Sequence, residues 1–180
     1  TNGEIFSINN EAAGNLTATD LTILSRGSTN YGTVTAENLT IGGEYRWGVG
    51  GDDGLGVRTS GVWADAGTTN VTGTLTVAGL YHLYDGSLTA AQLDLTGTGS
   101  LALDVNEVTQ APAGTAQIET LNAADGTSIA VNSGKVAVSG KATLEGSVST
   151  AGVGSITIHE MDLQSGATIV NDGSLMQFFY

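Results

Sequence analysis

The 180-residue sequence predicts an all-β protein. The expected fold is a parallel β-helix (a β-solenoid) of short strands wound into about seven or eight coils, and internal repeats are the first ground for it. A second ground is the alternation of apolar and polar residues over very short stretches, and a third is the glycine-bearing turn pairs that bound those stretches.

The repeat is a phrase. It runs from a turn residue through Leu or Val, Thr and a small residue, then spacers, Leu, one residue and a last apolar residue. It reads Asn15-Leu-Thr-Ala-Thr-Asp-Leu-Thr-Ile23 and returns as Gly32-Thr-Val-Thr-Ala-Glu-Asn-Leu-Thr-Ile41. Further copies begin at Gly73 and Gly86, and degenerate ones at Gly114 and Gly154. Within them Leu93 and Leu95 flank Asp94, Val136 and Val138 flank Ala137, and Ile156 and Ile158 flank Thr157. Period-two alternation of this kind means a strand with one buried face.

The turn pairs are Asp85-Gly86, Asp125-Gly126, Ser133-Gly134, Ser139-Gly140, Ser165-Gly166 and Asp172-Gly173. Gly amounts to 27 residues, whereas Pro occurs once, at Pro112, which fits tight turns and excludes collagen and Pro-rich linkers. Thr, Val, Gly and Asn dominate, and all are poor helix formers. A coil of three short strands with its turns takes about 20 to 25 residues, within the range of solenoid repeats. The same turns would serve as hairpins in an antiparallel sandwich, which stands as the alternative fold.

The chain reads as one domain, residues 1–180, with one irregular insertion at 42–70. There the phrase stops at Ile41 and gives way to Gly-rich text holding both tryptophans, Trp47 and Trp63. Interruptions of a solenoid are usually loops on one face, often the binding face.

Charge narrows the function classes. Eighteen Asp and Glu against five Lys and Arg give a net charge of −13, which repels phosphate backbones and argues against a nucleic-acid partner. The absence of Cys removes disulfides, thiol catalysis and Cys-based zinc sites. No apolar run approaches the roughly 20 residues of a membrane-spanning helix.

The stretch Gly86-Ser-Leu-Thr-Ala-Ala-Gln-Leu-Asp-Leu-Thr-Gly-Thr-Gly-Ser-Leu-Ala-Leu103 resembles the passenger domains of bacterial autotransporter adhesins and related secreted surface proteins. The stretches from Gly140 to Val148 and from Leu163 to Leu175 have the same grammar. The resemblance spans 15–175 apart from the insertion. It implies a right-handed parallel β-helix exported to the cell surface and displaying binding loops. It carries no site residues, because that family has no universal site motif.

Candidate functional residues fall into three groups. Tyr45, Trp47 and Trp63 bring aromatic rings to the insertion, and exposed rings of this kind stack on sugars or anchor protein partners. Asp52 and Asp53, flanked by glycines, form the one adjacent acidic pair and a loose Ca2+ loop; no other cofactor is expected. Ile5, Phe6 and Ile8 at one end and Phe178, Phe179 and Tyr180 at the other are apolar where a solenoid cap is polar. They predict that the native chain continues or that the ends dock on a neighbour. His82 and His159 read as outward strand residues, and no Gly-x-Ser-x-Gly elbow accompanies them. Paired threonines such as Thr33/Thr35 raise an ice-binding ladder, which their irregular spacing disfavours.

The expectation is a non-catalytic, extracellular or cell-surface bacterial module, structural or adhesive, which self-associates end to end and has a carbohydrate or host-surface ligand. A carbohydrate-active β-helix enzyme or a polysaccharide-binding module is the alternative. An enzyme needs carboxylates converging on one face, whereas here the acidic residues are scattered.

Overall fold

The computed structural model describes residues 2–5, 8–24, 28–42, 44–46, 57–59, 62–105, 114–172 and 175–179. All its regular elements are strands, alternately long and short. A partial opening pair, β1 (Asn2–Ile5) and β2 (Asn9–Asn10), precedes β3 (Asn15–Ile23) and β4 (Ser28–Asn30). β5 (Thr33–Ile41) is followed by a hairpin of β6 (Glu44–Arg46) and β7 (Val57–Thr59), then by β8 (Val62–Asp65). Next come β9 (Thr68–Val77) with β10 (Leu80–Leu83), β11 (Ser87–Leu95) with β12 (Ser100–Leu103), and β13 (Thr115–Ala123) with β14 (Ser128–Val131). β15 (Lys135–Leu144) with β16 (Ser147–Ala151), β17 (Ser155–Leu163) with β18 (Thr168–Asp172), and β19 (Met176–Phe178) complete the series.

The long strands pair in the order β1-β3-β5-β9-β11-β13-β15-β17-β19, and the short ones in the order β2-β4-β8-β10-β12-β14-β16-β18. Every one of these pairings is parallel, and β6–β7 alone is antiparallel among the described residues. Two parallel sheets whose strands alternate along the chain require winding around a common core. The fold is therefore a β-solenoid, with seven complete long–short coils from β3–β4 to β17–β18. The antiparallel sandwich is excluded, because its turns would make hairpins between successive strands.

Each long strand supplies two of the three faces. In β5, Val34 and Ala36 are buried, Glu37 and Asn38 interrupt the alternation, and Leu39 and Ile41 are buried again. Two successive residues outside the core break the period of two and turn the chain onto a new face. β9 and β15 hold one extra residue at this corner, and the register with their neighbours slips there. Each carries Gly at the corner, Gly73 or Gly140, where a Cβ would lie 2.8 Å from the carbonyl oxygen of Glu37 or Glu119 one coil back. Ser139-Gly140, expected to be a turn between strands, is thus a bulged corner inside β15. Gly126, Gly134 and Gly166 do sit in turns with positive φ.

The core consists of stacked columns. One runs Leu21, Leu39, Leu75, Leu93, Leu121 and Ala142, and another Ile23, Ile41, Val77, Leu95, Ala123 and Leu144, all 3% exposed or less. One inward column of the short strands changes character along the axis. Leu83, Leu103 and Val131 fill it in the middle, but Asn10 and Asn30 occupy it near the start and Thr150 and Asn171 near the end. The buried Asn10 Nδ2 donates to Asn30 Oδ1 at 2.8 Å, and Gly32 N donates to the same oxygen at 3.1 Å. These bonds satisfy amides that would otherwise be costly to bury.

The corner from each short strand to the next long strand is built on glycine. Gly14, Gly32, Gly67, Gly86, Gly114, Gly134 and Gly154 stand one per coil, each immediately before a long strand. The carbonyl of each of the first six accepts a hydrogen bond from the residue that follows the next glycine, as Thr33 N donates to Gly14 O at 2.9 Å and Ser87 N to Gly67 O at 2.8 Å. A Cβ on Gly67 or Gly86 would sit 2.2 Å from the carbonyl oxygen of the glycine one coil back. The requirement is close backbone approach, since neither residue has a positive φ.

The coil length is about 20 residues, as shown by ladder contacts 18, 20 and 21 residues apart. It stretches in two places, to 35 residues from Thr33 to Thr68 and to 28 between Asp94 and Asn122. The first stretch carries the β6–β7 hairpin. Residues 62–70, assigned to the insertion from sequence, belong instead to β8 and β9, so the interruption lies between Ile41 and Val62.

Gly86→Ala should therefore lower stability by about 1–3 kcal/mol through overpacking, or more if the corner cannot yield. Gly97→Ala, at φ 61 with open space around it, should cost only about 1–2 kcal/mol of backbone strain. Denaturant melts of the two variants test the order, which reverses if φ rather than stacking governs the corner.

Candidate functional site

The outer surface of the short-strand sheet and the glycine corner beside it form the candidate site. One outward column of that sheet runs His82, Ala102, Ala130, Ser149 and Val170, and its register continues back through position 64 to Thr29. His82 thus stands between two alanine positions. Its Nε2 lies 2.8 Å from Asp104 Oδ2, and Asp104 Oδ1 accepts a hydrogen bond from Asn132 Nδ2 at 2.7 Å. The Tyr84 ring packs on the imidazole, with centroids 4.1 Å apart. Three successive coils therefore hold one imidazole. Its side chain remains 20% exposed and that of Asp104 33% exposed. Such an imidazole, with a carboxylate on one nitrogen and an aromatic ring on its face, presents a fixed surface for hydrogen bonding and stacking.

Along the neighbouring corner, the glycine column leaves a shallow open groove of about 400 Å³ parallel to the solenoid axis. Thr33, Thr68 and Ser87 line it, and Tyr31, 54% exposed, and Asp85 also border it. Ser87 Oγ donates to Thr68 Oγ1 at 3.3 Å, which links the hydroxyls of two successive coils along the groove. The column of which they are part continues to Thr115 and is then interrupted by Lys135, which breaks the uniform threonine face that an ice-binding surface would need.

The candidates read from sequence are placed unevenly. Tyr45 lies in the β6–β7 hairpin opposite Arg58. Trp63 lies in the coil itself, in register between Ser28 and Tyr81, two positions whose side chains are buried. Trp47, Asp52 and Asp53 fall outside the described residues. Among the described residues no group of three or more His, Asp or Glu could hold a metal ion. At the ends, Ile5 pairs with Ile23, Ile8 and Phe178 pack half-buried against the core, and Phe179 is 44% exposed with its ring 6.1 Å from that of His159. Phe6 and Tyr180 fall outside the described residues. No helix among the described residues is long and apolar enough to cross a membrane.

Sequence reading placed His82 on an outward strand position but missed its partners. Asp104 lies 22 residues away, near one coil length, and Asn132 a further 28, because the second lengthened coil intervenes. Knowing the coil period would have found the first partner and not the second.

Lys141, exposed and 3.0 Å from Asp162, has its ammonium pKa raised by the hydrogen bond and the charge of Asp162. The stability that the raised lysine contributes is thus fully present below the ordinary lysine value and is lost as pH rises through the raised one. Asp104→Ala should unlock the His82 ring at a cost of only about 0–1 kcal/mol, as expected for a partly exposed pair. Imidazole NMR signals should then average over tautomers while the melt barely moves. A large fall in stability would instead make the cluster a structural pin.

The chain matches no protein-family model, no curated relative and no solved structure.

Proposed function

We propose that the chain is a non-catalytic extracellular module of a bacterial surface protein, a β-solenoid stalk or adhesive segment that extends axially and presents a carbohydrate- or host-surface-binding face. One observation carries the reading. The coil repeats from β3 to β17 with single-residue register shifts at the bulged corners of β9 and β15, and the larger additions of length enter at two corners, between β5 and β8 and between β12 and β13. Both corners border the short-strand sheet, the first where chains enter it and the second where they leave it. His82 lies on the coil between them. Uniform coils with length added at one face are what a display scaffold requires.

The distribution of charge supports the same reading. Exposed acidic residues such as Glu37, Asp85, Glu119, Asp125 and Glu145 are dispersed over successive coils. Hydrolysis of a glycan requires two carboxylates held about 5–10 Å apart across the scissile bond. His82 and Asp104 point to the alternative of a carbohydrate-active enzyme, and the test distinguishes the two readings. No resident cofactor is proposed, and Ca2+ at Asp52 and Asp53 is the one ion considered.

Residues 42–61 can be replaced by a two-residue Ala-Gly link, copying Ala78-Gly79, which joins β9 to β10. The shortened chain should keep its melting behaviour and lose at least about tenfold in affinity on glycan arrays and host-cell surfaces, about 1.4 kcal/mol of binding free energy. Unimpaired binding would move the ligand surface away from the insertion. Release of reducing ends or unsaturated sugars from any polysaccharide would overturn the non-catalytic reading. Chelation should leave the melt unchanged, and a Ca2+-dependent rise would assign the ion to the Asp52–Asp53 loop.

A further inference from the structure

Along the corner from short to long strands, an aromatic row and a hydroxyl row run side by side, parallel to the solenoid axis. Continuing the register of β4, β8 and β10 by one position gives the first row, Tyr31, Ala66 and Tyr84, one residue per coil. Tyr31 is 54% exposed although described coils lie on both sides of it: its N–H donates to Asn10 O, and Ala66 N donates to Asn30 O. Its exposure is therefore a property of this surface and not of an end of the solenoid. Ala66 carries only a methyl group. Tyr84 lies two coils beyond Tyr31, about 10 Å along the axis, with its ring fixed against the His82 imidazole. On the other side of the glycines, Thr33, Thr68 and Ser87 form the row of hydroxyls. Asp85 stands exposed at the corner itself, where the link from β10 to β11 has one residue more than the two links before it.

We propose that this groove binds a linear, uncharged polysaccharide laid along the solenoid axis, with sugar faces on the tyrosine row and sugar hydroxyls on Thr33, Thr68, Ser87 and Asp85. This names the ligand of the display face in the functional reading and rests on that reading. A pyranose ring has an apolar face of C–H groups and a rim of hydroxyls. An exposed tyrosine ring suits the face. Threonine and serine hydroxyls donate and accept, as sugar hydroxyls do, and the Asp85 carboxylate accepts from more than one of them. The groove crosses the corners of four successive coils, from Ala12 to Ser87, which is about 14 Å at the strand spacing. That is longer than one sugar ring, and a surface that repeats at every coil suits a ligand that repeats along its own length.

Charge and backbone pairing argue against the other linear polymers. Among the described residues that line the groove, Asp85 is the one charged side chain. The nearest basic group in the hydroxyl column is Lys135, two coils beyond Ser87. A uronate, sulfate or sialic acid would therefore bring like charge to Asp85 and to a chain of net charge −13, with no cation to pair it. The same field repels a nucleic acid. An extended peptide is captured best by an open strand edge. Here the N–H groups of Thr33, Thr68 and Ser87 are already bonded to the carbonyls of Gly14, Gly32 and Gly67, so the corner offers side chains and not backbone. A small apolar ligand needs an enclosed pocket, and this groove is shallow and open.

The test is titration of the full chain with soluble neutral oligosaccharides of glucose, xylose, mannose and N-acetylglucosamine, with oligogalacturonate and dextran sulfate as acidic comparators. At least one neutral series should bind, more tightly as its chain lengthens to the span of the groove, and the acidic ones should not. Tyr31→Ala should weaken binding by at least about tenfold, and Tyr31→Phe, which keeps the ring, by no more than about twofold. Both should melt as the parent chain does, since Tyr31 is exposed. Asp85→Lys should weaken neutral binding and admit the acidic comparators. Absence of binding by every neutral series, equal binding by the parent and Tyr31→Ala, or a preference of the parent for the acidic comparators would overturn the groove. Cell adhesion that needs Tyr31, survives enzymatic removal of neutral glycans and is lost on protease treatment would also overturn it, in favour of a peptide. If neutral binding falls in the chain shortened at 42–61 but not in Tyr31→Ala, the groove fails and the display reading stands. Release of sugar fragments during the titrations, with Tyr31 still required for binding, would remove the non-catalytic reading and leave the groove.

Discussion

Everything in this fold depends on the direct stacking of one coil on the next. Successive strands are spaced at the ladder distance, about 4.8 Å, so each position lies on its own equivalent one coil away. A side chain therefore has no choice of neighbours along the axis. The glycine corner expresses the constraint most sharply. There the backbones approach until a Cβ on Gly67 or Gly86 would sit 2.2 Å from the carbonyl oxygen of the preceding coil. Gly32, Gly67, Gly86 and Gly114 all meet that demand, each against the carbonyl of the glycine one coil back, and the long strands that follow the corner can therefore stack closely.

The core follows from the same constraint. A column must be uniform in polarity, or its odd members must bond one another. The Leu21-to-Ala142 column is apolar throughout. The short-strand column changes from Asn10 and Asn30 to Leu83, Leu103 and Val131 and back to Thr150 and Asn171, and it does so in runs. Neighbouring polar members can then satisfy each other, as Asn10 and Asn30 do. A lone polar residue in the middle of such a column would find only hydrocarbon above and below it. Stacking also allows residues far apart in the chain to form one cluster, which is how His82, Asp104 and Asn132 meet on the outer face.

Much of the architecture was readable from the chain. Five of the six copies of the repeat phrase coincide with long strands, from Asn15–Ile23 in β3 to Ser155–Leu163 in β17. The copy read from Gly73 does not: it starts at the bulged corner of β9 and ends in β10. The reason is physical. In β9 the first inward position is Thr69, buried with no exposure, where the other copies have Leu, Val, Ala or Ile. A buried threonine looks like a surface residue to a pattern based on hydrophobicity. The same ambiguity extended the insertion to Asn70. For Gly140 the error was different, since Ser-Gly marks a turn and a bulged strand corner with the same residues.

The sequence by itself determined that short half-buried strands would repeat at about 20 residues, because period-two alternation and glycine spacing are local properties of the chain. It also determined that surface charge would be acidic and dispersed, and that both ends would carry apolar residues. Only the tertiary structure decided that the strands pair in parallel between coils, because Asp-Gly and Ser-Gly turns permit hairpins equally well. It alone decided which residues share a column, since a register is a relation between segments 18 to 36 residues apart and shifts whenever a corner gains length. That dependence made Tyr81, His82 and Asp104 indistinguishable as letters, yet it buries the first in the core and joins the other two on the surface.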